Sequence, residues 1–192
     1  MTAVRLPAFA DPVLDAQATF RALLDAMARP GRVLPAGRGL LPPPPLTPAL
    51  AAVALTLCDP DTPVWTDAPE APRAWLAFHA GCPFAADAAR ASFVLPLGTP
   101  PALESLDAGT DEEPHLSATL ILPVAALAEG SGWRLSGPGI AAEARLSVLG
   151  APAGFAAAFA AQRQRFPRGV DVILCAPQAF ACLPRSTSLA EG

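Results

Sequence analysis

Ala118-Thr119-Leu120-Ile121-Leu122 is the stretch on which the reading of the fold turns. From Leu120 to Leu122 no polar residue interrupts the run, so it lacks the alternation of a half-exposed strand. It reads as a strand buried on both faces, in a sheet covered on both sides. Further along the chain, Val170 to Cys175 and Ala179 to Pro184 are two more apolar strands, flanking the turn Ala176-Pro177-Gln178. Ser92 to Leu97 is a strand by the same reasoning, and Val64-Trp65 opens a short one. Trp133 to Ser136 is closed by Gly137-Pro138-Gly139, and Ala144 to Leu149 adds another candidate.

Helices lie between these strands, and their boundaries are marked by several of the 24 prolines. Asp11-Pro12 combines an N-cap with proline at the first helical position. From there Phe20, Leu23, Leu24 and Met27 follow the i, i+3, i+4, i+7 spacing of one apolar face, until Pro30-Gly31 stops the helix. Thr47-Pro48 repeats the cap and starts a second helix through Leu57. A third is expected from Arg73 to Ala80, ended by Gly81 and Pro83, and a fourth from Ala151 to Arg165 with Phe155 and Phe159 on one face. Residues 35–46, with Pro42-Pro43-Pro44-Pro45, read as an extended surface stretch. The polar, acidic segment Thr99 to His115 reads as a mobile loop, and the chain finishes in a short polar tail. The result is one α/β domain over residues 1–192 with a largely covered mixed sheet.

Composition narrows the function. The 192 residues are 52% hydrophobic and 16% charged, with a formal net charge of −4. A mean hydropathy of +0.38 excludes intrinsic disorder. The longest apolar windows, Pro48 to Cys58 and Ala118 to Ala128, fall well short of the roughly 20 residues that span a bilayer. Arg5, Asp11 and Asp15 interrupt any secretory apolar core, so a cytoplasmic protein is expected. All 13 basic residues are Arg. Without Lys there is no internal Schiff base for pyridoxal phosphate and no P-loop lysine. An acidic chain without a basic run is no nucleic-acid binder. Sparse surface charge instead points to a protein interface.

Few side chains suggest chemistry. The 4 cysteines and 2 histidines have no zinc-ligand spacing, so no metal is expected. With a three-residue hairpin loop, Cys182 would face Val172 and not Cys175, which argues against a disulfide there. Asp59 and Asp61, in Cys58-Asp59-Pro60-Asp61-Thr62-Pro63, could bind a cation or orient a hydroxyl, although turn chemistry alone explains them. His79, near a helix C-terminus, could pair with a thiol but lacks an orienting group. Arg165 and Arg168 precede one strand of the last hairpin, and Arg185 and Thr187 follow the other. Arg168 and Arg185 therefore share one end, and such forks and hydroxyls suit a phosphate or carboxylate. Gly137-Pro138-Gly139 is a turn and no phosphate cradle, since proline removes a donor.

Several segments together resemble the PhnH family of the bacterial carbon–phosphorus lyase system. They are Phe20-Arg21-Ala22-Leu23-Leu24-Asp25-Ala26-Met27-Ala28-Arg29-Pro30-Gly31, Leu55 to Trp65, Phe78-His79, Gly109-Thr110, Ala118 to Leu122, Leu135 to Ile140, Phe166 to Leu174, and Leu183-Pro184-Arg185-Ser186-Thr187. The order is collinear from about residue 12 to residue 188. The resemblance implies a fold like the large domain of pyridoxal-phosphate-dependent transferases, without the cofactor. It implies a homodimer in isolation that joins the other core lyase subunits. In that assembly ATP and a phosphonate give a ribose 1-phosphonate 5-triphosphate. The subunit's own part is accessory or co-catalytic, it is inactive alone, and no catalytic residues carry over. Where the family has an acid after the proline of its Gly-Thr loop, this chain has Pro114-His115, with Glu112 and Glu113 before it. The competing reading is a self-contained phosphate- or nucleotide-binding enzyme using Arg165, Arg168, Arg185 and Thr187, with His79.

Overall fold

The computed structural model describes residues 6–192. Helix α1 (Pro12–Ala28) starts where the sequence places it: the Asp11 carboxylate accepts hydrogen bonds from the Val13 and Leu14 amides at 3.1 and 3.0 Å. A two-residue strand β1 (Leu34–Pro35) follows, then α2 (Pro48–Leu57), capped by Thr47. Strand β2 (Val64–Trp65) leads to α3 (Glu70–Ala80), and β3 (Phe93–Val94) precedes β4 (Thr119–Pro123). Next come β5 (Ala126–Ser136), β6 (Ala144–Leu149), α4 (Phe155–Gln162), β7 (Asp171–Ala176), β8 (Ala179–Leu183) and β9 (Ser188–Ala190).

Six strands form the main sheet in the order β1-β8-β7-β4-β3-β2. Strands β2, β3, β4 and β7 are parallel, while β8 runs antiparallel to both of its neighbours, β7 and β1. The sheet is therefore mixed, as expected. Its central strands bury both faces, and alternate residues supply two cores. Ile121, Ile173, Phe180 and Cys182 pack with α1, α2 and α3, including the fully buried Trp75. Leu120, Leu122, Val172, Leu174 and Leu183 pack on the other side with Phe155 and Phe159 of α4. That second core also takes in Leu135, Leu146 and Leu189 from a three-stranded antiparallel sheet, β6-β5-β9.

Several expectations are corrected. Residues 35–46 are no plain surface stretch, because Leu34 and Pro35 pair with β8 and Leu40 and Leu46 are buried anchors. The apolar face of α1 is rotated. Leu23 and Ala26 are buried, whereas Phe20 and Leu24 are about half exposed. Helix α3 begins at Glu70, since Pro72 lies in the first turn, where a missing N–H costs nothing. Helix α4 is shorter than residues 151–165: left-handed Gly154 precedes it and a 3₁₀ turn, Arg163–Arg165, ends it. Strand β5 is longer than expected because it carries a bulge, with Glu129 and Trp133 both opposite Leu146 and Gly130-Ser131-Gly132 between them. The hairpin loop is two residues and not three, so Cys182 faces Ile173 and not Val172. All four cysteines are buried free thiols. The polar tail supplies β9, which pairs with β5. Within the Thr99–His115 segment, Leu103, Leu106 and Ala108 are buried, and the Asp107 and Ala108 carbonyls accept from the Ala118 and Gly169 amides.

Candidate functional site

The arginine-rich end of the last hairpin is built by β7, β8 and the segments that lead into them. β4 and β7 pair Thr119 with Asp171, which places Asp171 at the amino end of the parallel strands. Arg185 lies just past the end of β8. Its backbone N–H and its Nε donate to Asp171 Oδ1 at 2.7 and 3.2 Å, and Nη2 donates to Oδ2 at 2.5 Å. Nη1 donates to the Pro114 carbonyl, tying the acidic segment to the hairpin. Arg185 is thus forked onto one carboxylate with its remaining group on a backbone oxygen. The sequence puts Arg168 and Arg185 at one end, and the structure does the same. What sequence reasoning missed is Asp171, whose signal is a lone carboxylate heading a wholly apolar strand.

Arg168 Nε lies 3.1 Å from Asp111 Oδ1. This contact is an ion pair between half-exposed side chains in which the Nε–H makes no hydrogen bond. The hydroxyls of Thr187 and Ser117 are buried without a partner. Unpaired buried polar atoms cost about 1–3 kcal/mol each, so this end of the sheet carries unmet hydrogen-bonding capacity. Arg165 lines a cavity of about 130 Å³ together with Glu104 and Gln162. Gln162 itself is occupied, since its amide exchanges hydrogen bonds with the backbone of Val170 at 2.8 and 3.0 Å.

The other candidates lie elsewhere. Asp59 Oδ1 accepts from the Asp61 amide and the Thr62 hydroxyl, both at 2.9 Å, a local turn network. Among the described residues no three His, Cys, Asp or Glu side chains cluster as a metal site. His79 is half-buried on α3, the helix whose Trp75 and Leu76 join the core on the face away from α4. Its Nε2 is 3.1 Å from the Leu6 carbonyl, which also accepts from Trp75 Nε1 at 3.0 Å. A carbonyl can only accept, so Nε2 carries the hydrogen. His79 therefore pins the segment before α1 and is not brought to the arginines. The thiols are held protonated, because burial pushes each of them up from its ordinary value. Among the described residues no helix is long and apolar enough to cross a membrane.

Fold and site together define a mixed-sheet α/β protein whose arginine-rich end is cross-braced by acidic partners. Comparison with known proteins places that class. A family model described as "Bacterial phosphonate metabolism protein (PhnH)" matches residues 7–190. The chain is 43% identical over 188 residues to the alpha-D-ribose 1-methylphosphonate 5-triphosphate synthase subunit PhnH of Rhizobium meliloti (strain 1021), covering 95% of this chain and 94% of that one. It is 34% identical over 173 residues to HtxG of Stutzerimonas stutzeri, named as a candidate C-P lyase subunit, covering 90% and 85%. The chain belongs to the PhnH family.

Proposed function

We propose that this chain is a subunit of a carbon–phosphorus lyase assembly in phosphonate catabolism. In this reading it contributes, as an accessory or co-catalytic part, to making a ribose 1-phosphonate 5-triphosphate from ATP and a phosphonate. The observation that carries the proposal is the near end-to-end match, at 43% identity, to a synthase subunit. Partner-facing surface supports it. Val13, Leu14, Phe20 and Leu24 of α1 are 45–75% exposed, and apolar surface gathered on one element in this way is of the kind that partners cover. We further infer self-association as a homodimer in the absence of the other subunits, a cytoplasmic location, and kinship with the large domain of pyridoxal-phosphate-dependent transferases.

The competing reading, a self-contained phosphate- or nucleotide-binding enzyme, is favoured by the three unpaired polar atoms Ser117 Oγ, Arg168 Nε and Thr187 Oγ1. The commitment of Arg185 to Asp171 weighs against it. Light scattering after size exclusion separates the two. The chain alone is expected as a dimer, and mixed with the other core subunits it is expected to elute within a stable assembly. A chain that ignores those subunits, yet binds ATP or a phosphonate at millimolar concentration, overturns the subunit reading.

A further inference from the structure

The parallel strands give the sheet two unlike ends. The arginines lie at the amino end. In open α/β sheets, however, ligands bind in crevices outside the carboxyl ends of the strands. At that end β7 runs out at Ala176, and the turn Pro177-Gln178 follows. Here lies a cavity of about 720 Å³, bounded by Gln178, residues 35–41, Pro48 and one flank of α1. Its volume is in the range of small-molecule sites, roughly 300–1,000 Å³.

The lining combines an apolar body with a few polar groups. Phe9, Ala18, Ala22 and Leu40 supply the apolar walls, while Thr19, Arg38 and Gln178 supply polar groups. Arg38 is held by a built loop. The turn around it is closed by the Leu40 N–H donating to the Gly37 carbonyl at 3.0 Å. Leu40 is buried, and the Gly37 backbone is pressed so closely on Pro48 that an added Cβ would come within 2.2 Å of it. Arg38 forms no ion pair with any carboxylate among the described residues. The acid in the lining, Asp15, is already engaged, accepting from the Asp11 amide at 3.0 Å. The cavity therefore presents an unpaired guanidinium on a fixed loop beside an apolar hollow, while the Asp15 carboxylate, which keeps its charge, is turned to the Asp11 amide at the start of α1.

We propose that this cavity binds an organic anion with an apolar body, its charged group taken by Arg38. The inference goes beyond the subunit role and does not rest on it. The probe is anilinonaphthalene sulfonate, an aromatic anion that fluoresces in apolar surroundings, with uncharged phenylnaphthylamine as its neutral counterpart. Both are expected to bind saturably. Arg38→Gln is expected to weaken the anionic probe about tenfold or more, as for loss of a charge-assisted contact, and to leave the neutral probe within about twofold. Ala18→Trp, at an exposed position on the cavity wall, is expected to abolish binding of both. Arg163→Gln, at the opposite end of the sheet, is expected to change neither. Absence of saturable binding by the anionic probe overturns the proposal. So does binding that survives both Arg38→Gln and Ala18→Trp, or an equal loss for the two probes on Arg38→Gln. Arg38 is exposed and Gln replaces it without strain, so that arm stays informative even if Ala18→Trp fails to fold.

Discussion

At the scale of single residues, the Asp171–Arg185 pair sets the character of the amino end of the sheet. With the Asp171 and Arg185 side chains 21% and 16% exposed, the pair lies between a surface ion pair and a fully buried one. Removing the carboxylate leaves a guanidinium with little water to replace it. Asp171→Ala is therefore expected to lower stability by about 2 kcal/mol in urea unfolding. In the double variant with Arg185→Ala the loss should fall short of the sum of the single losses, since no unpaired partner remains. Additive losses would show that the fork contributes no coupling. Much of this end was legible in the sequence. Arg168 and Arg185 were placed together by hairpin logic alone, because strand pairing follows from apolar runs and a turn. Asp171 was not, because which side chain a carboxylate meets depends on the register between β7 and the chain leaving β8. The cavity around Arg38 was illegible for a similar reason: its walls come from α1, the β1–α2 connection and the β7–β8 turn, which nothing local in the sequence brings together.

At the scale of elements, caps and prolines gave firm helix starts for α1 and α2, and apolar runs gave β4, β7 and β8. Elements held by pairing alone were not legible. β1 and β9 are two and three residues long, and the outer part of β5 hides behind the glycines of its bulge. The rotation of α1 also escaped: Leu23 and Met27 face the core as expected, but Ala26 completes that face as readily as Phe20 and Leu24 do. The Gly137-Pro138-Gly139 turn proves to be a joint between elements. A Cβ on Gly139 would stand 1.9 Å from the carbonyl oxygen of Ala28, at the end of α1. Gly139→Ala combines that overlap with a left-handed backbone and is expected to cost about 3 kcal/mol or more. Gly130→Ala serves as the comparison, for Gly130 has a similar positive φ but open space around it. Its expected cost is only the backbone share, about 1–2 kcal/mol. Thermal unfolding of the two variants distinguishes them, and equal losses would mean that the turn does not press on α1.

At the scale of the whole molecule, the absence of Lys and Tyr isolates the thiols in alkaline solution. Between about pH 9 and 11 cysteine is then the side chain that titrates, since Arg keeps its proton throughout. Burial raises all four thiols in the folded chain, whereas unfolded thiols ionise near pH 8.5. The stability tied to these protonated thiols is complete below that value and is lost as pH rises from there toward the folded values. Each fully protected thiol should contribute a fall of about 1.4 kcal/mol per pH unit. Urea midpoints measured from pH 7 to 10 should fall steeply above pH 9, and less steeply in Cys175→Ala. A flat profile would mean that the thiols ionise in place. The main sheet has a second property at this scale. Its outermost strands, β1 and β2, are two residues each. A neighbouring chain finds almost no ladder of free amides and carbonyls to extend at either border, which protects the sheet against edge-to-edge aggregation. Association at the borders of this sheet must instead be written in the side chains of the neighbouring helices and loops, where single substitutions can rewrite it without touching the strands.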